Sequence, residues 1–141
     1  MKRSKPMNIQ QAALAIVRRL REHGHEALFA GGCVRDMLLK IEPKDFDIAT
    51  SARPEEIVAL FTRTKQVGAQ FGVGLIGQSR HRTETATFRT DLDYQDGRRP
   101  EHVAFTTATE DARRRDFTIN GLFYNPIAEK VIDYVDGQAD L

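Results

Sequence analysis

Apolar positions along the chain recur with two periods, and the switches between them mark the elements. Ile9, Ala13, Ile16, Val17 and Leu20 fall at helical spacing, which predicts an amphipathic helix over residues 8–23. Asn8 is placed to cap its start and Gly24 to stop it. Residues 26–30 read as a short strand ended by Gly31-Gly32, and residues 33–39 as a helix closed off by Pro43. From residue 45 the period is two: Asp45 and Asp47 alternate with Phe46 and Ile48, predicting a strand over 46–49. Pro54 suits the first turn of a helix that runs to about Phe61. Strands are predicted at 64–67, 71–76, 84–89, 103–105 and 131–134, and a helical stretch broken near its middle at 109–124. Residues 90–102, "TDLDYQDGRRPEH", are polar and contain Gly97 and Pro100, a long loop. The succession predicts an α/β fold on a mixed sheet and leaves the strand order open.

Composition narrows this picture. A chain of 141 residues fits one compact domain, and 40% hydrophobic with 29% charged residues is a globular balance. No apolar run approaches the length of a membrane span. The N-terminal "MKRSKPMNIQQ" is basic but lacks the apolar segment of a signal peptide, so the expected location is cytoplasmic, with no membrane partner. Cys33 is the single cysteine, which excludes an internal disulfide and a zinc site built on several thiolates. The net charge of +1 gives no global basic field, so any nucleic-acid contact is local or made by a region outside this chain. The histidines, at 23, 25, 81 and 102, show no metal-ligand spacing beyond His23-Gly24-His25, which sits at a helix end.

The chemistry concentrates in residues 28–50, "LFAGGCVRDMLLKIEPKDFDIAT". In an extended segment Asp45 and Asp47 share one face, while Phe46 and Ile48 anchor the other. Two carboxylates so close repel each other, and a divalent cation resolves that repulsion. Oxygen ligands of this type suit Mg²⁺, which keeps waters and takes substrate phosphates as further ligands. Glu84, at the head of "TETATFR", is the best candidate for a third carboxylate. Gly31-Gly32 lies between a strand and a helix, where backbone amides accept an anion and glycine allows a phosphate to approach. Arg35 follows in the first turn, placed to grip a triphosphate, with Asp36 beside it as a local ion-pair partner. No G-K-[ST] follows, so this is not a P-loop.

A second dense patch is "EDARRRDFTINGLFYNP", residues 110–126. Phe117, Ile119, Leu122 and Phe123 would seat the segment in the core and fix at least one of its arginines, while Arg113 reads as solvated. An arginine held near the carboxylate pair would meet phosphate oxygens bidentately. Asp116 and Asn120, four apart, would share a helical face and could read ribose hydroxyls.

In this order, "GGCVRDMLL", "KDFDIAT", "TATFRTD" and "RRRDFTINGL" resemble the head domain of class II tRNA nucleotidyltransferases and bacterial poly(A) polymerases, within the polymerase β-like nucleotidyltransferase superfamily. The resemblance runs from about residue 26 to the end of the chain. It implies a mixed, mostly antiparallel sheet flanked by helices, with residues 1–25 as an N-terminal helix and 26–141 as the catalytic core. Gly31 and Gly32 match the family's turn under the triphosphate, Arg35 and Arg115 its nucleotide-contacting arginines, and Asp45 and Asp47 its metal-binding pair. Asp116 and Asn120 fall where the family contacts the incoming ribose, and Glu84 at the position of a third carboxylate. The implied reaction is Mg²⁺-dependent transfer of CMP or AMP from CTP or ATP to an RNA 3′ end, with tRNA as the expected acceptor. Family members continue into helical neck, body and tail domains, so this chain reads as the head alone. Poly(A) addition and a non-catalytic nucleotide- or RNA-binding module remain as alternatives. The stretch "VGAQFGVGLIG" lacks the basic signature of some polyadenylating relatives and favours CCA addition.

Overall fold

The computed structural model describes residues 7–68, 72–78, 80–91, 103–113 and 121–134. Its elements in chain order are α1 (Ile9–Glu22), β1 (Ala27–Ala30), α2 (Gly32–Leu38), β2 (Asp47–Thr50), α3 (Pro54–Leu60), β3 (Thr64–Gly68), β4 (Val73–Gln78), β5 (His81–Thr87), β6 (Arg89–Asp91), β7 (Val103–Phe105), α4 (Ala108–Arg113), β8 (Leu122–Asn125) and β9 (Lys130–Asp133). Seven strands form one sheet in the order β3-β4-β5-β2-β1-β8-β9, and β6 and β7 pair separately. Every pairing is antiparallel except β2 with β5, the mixed and mostly antiparallel arrangement expected.

Local chemistry sets the helix ends. Asn8 and Gln11 form a reciprocal capping box at the start of α1: the Gln11 amide donates to Asn8 Oδ1 at 2.8 Å and the Asn8 amide to Gln11 Oε1 at 3.0 Å. The helix stops where Gly24 turns left-handed (φ +85°), with the His25 amide donating to the Leu20 carbonyl at 3.0 Å. Pro54 opens α3 as its first residue.

The pleat divides the core in two. On one face Phe29, Ile48 and Ile76 bury under Ile16, Val17 and Leu20 of α1 and Ile57 of α3. On the other, Leu28, Ala30, Ala49, Phe88 and Phe123 pack with Ala108 and Ala112 of α4. Phe29 is fully buried and packs against Phe46 with ring centroids 5.1 Å apart. Phe88 and Phe123 meet edge to face at 5.9 Å on the second face.

Several elements depart from the sequence expectation. The part of 109–124 expected as helix beyond its break is a strand: Leu122 buries in one cluster and Phe123 in the other, the period-two signature of β8 paired between β1 and β9. The stretch 84–89 is two strands. β5 ends at Thr87, Phe88 donates its amide to the Thr50 carbonyl at 2.8 Å, and Arg89 begins β6 in the other sheet. The polar loop begins later than residue 90, because β6 runs through Asp91; residues 92–102 lie outside the described residues. Arg115, Asp116 and Asn120 also lie outside them.

Candidate active site

The site forms where β1 ends and β2 begins. Antiparallel register sets Ala30, the last residue of β1, opposite Asp47, the first of β2. The chain leaves β1 into Gly31, whose φ of +75° and ψ of −143° lie in a region that side chains on an L-residue exclude. That turn brings its backbone beside the carboxylate: a Cβ on Gly31 would lie 3.7 Å from Asp47 Oδ2. Gly32 has no such backbone requirement. A Cβ there would make an ordinary 3.6 Å contact with the Arg35 guanidinium, which folds back over the turn.

Asp45 and Asp47 are both exposed and Phe46 and Ile48 buried, so the alternation read from sequence holds although the strand itself starts only at Asp47. The parallel pairing of β2 with β5 sets Asp47 opposite Glu84, which is exposed too. Glu84 is thus the neighbour of Asp47 on the same sheet face. Among the described residues, no group of three or more His, Cys, Asp and Glu side chains is arranged to hold an ion by itself. A cation at the Asp45–Asp47 pair would draw its remaining ligands from water and substrate, the habit of Mg²⁺. The paired hard oxygens and the open glycine turn beside them fit such an ion.

A cleft of about 290 Å³ opens at this point, lined by Gly32, Cys33, Asp36, Glu42, Asp45 and Asp47 among others. Lys44 is the single cation among the described residues that line it. Arg35 is paired to Asp36, with 3.3 Å between the guanidinium and Oδ1. The Asp36 carboxylate therefore holds the guanidinium beside Gly32. Arg113, expected as solvated, is exposed and bonds Glu110 at 3.2 Å within α4. His23 bonds the Arg19 carbonyl, His25 faces Glu56 at 3.6 Å and His81 bonds the Met7 carbonyl, so these three rings serve surface contacts.

Sequence reasoning passed over two residues. Cys33 lies in the floor of the site, its thiol bonded to the Ala30 carbonyl at 3.2 Å. Burial pushes that thiol up to about 11, and the Asp47 charge adds to the shift against hydrogen bonds that oppose it. Cys33 is therefore a protonated packing group, not a nucleophile. Asp111 is fully buried and accepts the Arg89 amide at 2.8 Å, tying α4 to β6. Its signal was an acid spaced with Ala108 and Ala112 on the buried side of α4.

With this geometry in place, comparison with known proteins is direct. A family profile described as "Poly A polymerase head domain" matches residues 27–141. The chain belongs to this family. It is 50% identical over 113 residues to the CCA-adding enzyme of Geobacillus thermodenitrificans, covering 79% of this chain and 28% of the relative. It is 47% identical over 134 residues to the CCA-adding enzyme of Limosilactobacillus reuteri, covering 94% and 33%. Among solved structures, the Bacillus stearothermophilus CCA-adding enzyme in complex with CTP superposes at a TM-score of 0.82 and 36% identity, over 94% of this chain and 31% of that one. A tRNA nucleotidyltransferase complexed with a primer tRNA and an incoming ATP analog matches at 0.64 and 26%, over 89% and 36%. The chain thus spans about a third of the length of these relatives.

Proposed function

We propose that this head domain carries the catalytic centre of a metal-dependent tRNA nucleotidyltransferase, adding CMP and AMP from CTP and ATP to the 3′ end of tRNA. The observation that supports it most is that the exposed Asp45 and Asp47 line one cleft, with the Gly31 turn against Asp47. The named relatives, CCA-adding enzymes at 47–50% identity, supply the substrate class. Asp45 and Asp47 would hold Mg²⁺, with Glu84 next to them on the sheet face. Bound there, the ion supplies charge neutralisation for the triphosphate and acidity for the attacking 3′-hydroxyl.

The chain's own groups do the positioning. The backbone of Gly31-Gly32 leaves room for phosphate oxygens beside the carboxylates, and Arg35, held by Asp36, lays its guanidinium over the same turn. Arg115, Asp116 and Asn120 are assigned to the incoming nucleotide on the motif "RRRDFTINGL" alone. The helical domains of the longer relatives are the expected partners in cis for base choice and tRNA grip. A cytoplasmic location accords with a tRNA substrate, and among the described residues no helix is long and apolar enough to cross a membrane.

The test is incorporation of labelled CMP and AMP into tRNA lacking its 3′ tail. Asp45→Ala and Asp47→Ala should each abolish it, and retention of full incorporation rejects the assignment. The family profile also covers poly(A) polymerases, so product length decides between the two activities. Three added nucleotides support CCA addition; a long ladder of A residues points to polyadenylation.

A further inference from the structure

The sheet face that carries the acidic pair does not end at Glu84. Register carries it on across two more strands: Glu84 is opposite Leu75 of β4, and Leu75 opposite Lys65 of β3. Residues directly opposite share a face, so Asp47, Glu84, Leu75 and Lys65 form one transverse row. Arg82 stands two residues before Glu84, hence on the same face, opposite Gly77. Lys65 and Arg82 are exposed. With Arg63 they line a depression of about 250 Å³ at the edge of the sheet. No acidic residue is among the described residues that line it.

Gly77 shapes this depression. A Cβ there would meet Nε, Cζ and one terminal nitrogen of Arg63 at 3.0–3.1 Å, so the guanidinium lies flat against bare backbone. From β2 toward β3 the face therefore passes from carboxylates, Asp47 and Glu84, to cations, Arg82 and Lys65. With strands about 4.8 Å apart, Lys65 lies roughly 14 Å from Asp47 along the row. That is too far for the phosphates of a nucleotide anchored at Asp45 and Asp47, but within the span of a polynucleotide whose end reaches them. With a net charge of only +1, a polyanion would be drawn by local patches such as this one rather than by the chain as a whole.

We propose that Lys65 and Arg82, with Arg63, bind the phosphodiester backbone of the acceptor RNA a few nucleotides before its 3′ end. The inference rests on the nucleotidyl-transfer reading for the position of that end, but it is tested by binding alone. Anisotropy titrations of a labelled single-stranded RNA, at several salt concentrations, compare the 141-residue chain with Lys65→Gln/Arg82→Gln. Each lost phosphate contact lowers the salt slope by about 0.7, so the double variant should lose about 1.4 in slope and about tenfold in affinity near physiological salt. Lys65→Arg/Arg82→Lys should retain both, and Gly77→Ala, which displaces Arg63 without changing charge, should give a smaller loss. CTP affinity in Mg²⁺ should not change.

An unaltered RNA affinity and slope in the glutamine variant would overturn the proposal. So would weaker CTP binding with RNA binding intact, which would make the patch a nucleotide subsite. Increased self-association as the sole effect would assign the cations to guarding the β3 edge and would likewise reject it. None of these outcomes depends on the Asp45→Ala and Asp47→Ala incorporation assay, so failure of either idea is read separately.

Discussion

The two faces of the central sheet are built from the same strands and do opposite things. In β2, Ile48 goes under α1, while Asp47, one residue earlier, faces out beside Glu84. In β4, Ile76 is fully buried while Leu75 is only partly so and borders the basic depression. The covered face is held by volume, the open one by spacing. Where α4 lies, the second face is closed too, by Leu28, Ala49, Phe88 and Phe123. Among the described residues, the exposed positions of that face include Asp47 and Glu84. A strand with period two supplies both a core and an exposed acidic surface from one short stretch, and the register decides which residues of different strands meet.

Substitutions on the two faces should separate cleanly. The largest effect belongs to the covered face: Phe29→Ala should cost about 3–5 kcal/mol, the scale for removing a buried aromatic ring, read from denaturant melts. Next, Asp47→Asn on the open face should lower nucleotide incorporation by roughly 10²–10³-fold while the melt moves by less than about 1 kcal/mol. An equal loss of stability and activity would erase the contrast.

Gly72→Ala tests the seam between the two sheets. Gly72 has φ +76°, and a Cβ there would come within 2.8 Å of the Phe105 ring. Strain and overlap together should cost about 1–3 kcal/mol. By contrast Gly77→Ala meets the mobile end of a side chain and should leave stability nearly unchanged.

The last effect is confined to alkaline solution. Burial raises the Cys33 thiol from 9.0 to about 11, so the folded state keeps a proton that the unfolded chain releases. Unfolding is then favoured as pH rises, and stability should fall across pH 9 to 11 by on the order of 2 kcal/mol. Cys33→Ala should remove that part of the slope, measured as the difference between urea melts at pH 8 and near pH 11.

What the sequence made legible was local. The capping box at Asn8, the stop at Gly24 and the alternation around Asp45 and Asp47 involve neighbours a few residues apart, and each appears as read. The two aspartates and Gly31 were legible as a constellation because the chain turns once between them. The basic depression was not, since Arg82 joins Arg63 and Lys65 only through strand pairing across β4. β8 was misread for a related reason: "LFYN" is too short to show its period, and only the neighbours β1 and β9 make it a strand.

Among the described residues the lone parallel contact is between β2 and β5, and it has a bearing on how the molecule matures. Before β5 can dock, the chain must pass through α3 and the β3–β4 hairpin and return to the same side, so Asp47 and Glu84 become neighbours through a long closure. Contacts of that kind form slowly. On a ribosome, a nascent chain that has already shaped α1, β1 and β2 would display its carboxylates with no neighbour from β5. The acidic face would be completed only when β5 docks beside β2, and β8, which closes onto β1 over a longer separation still, would follow it.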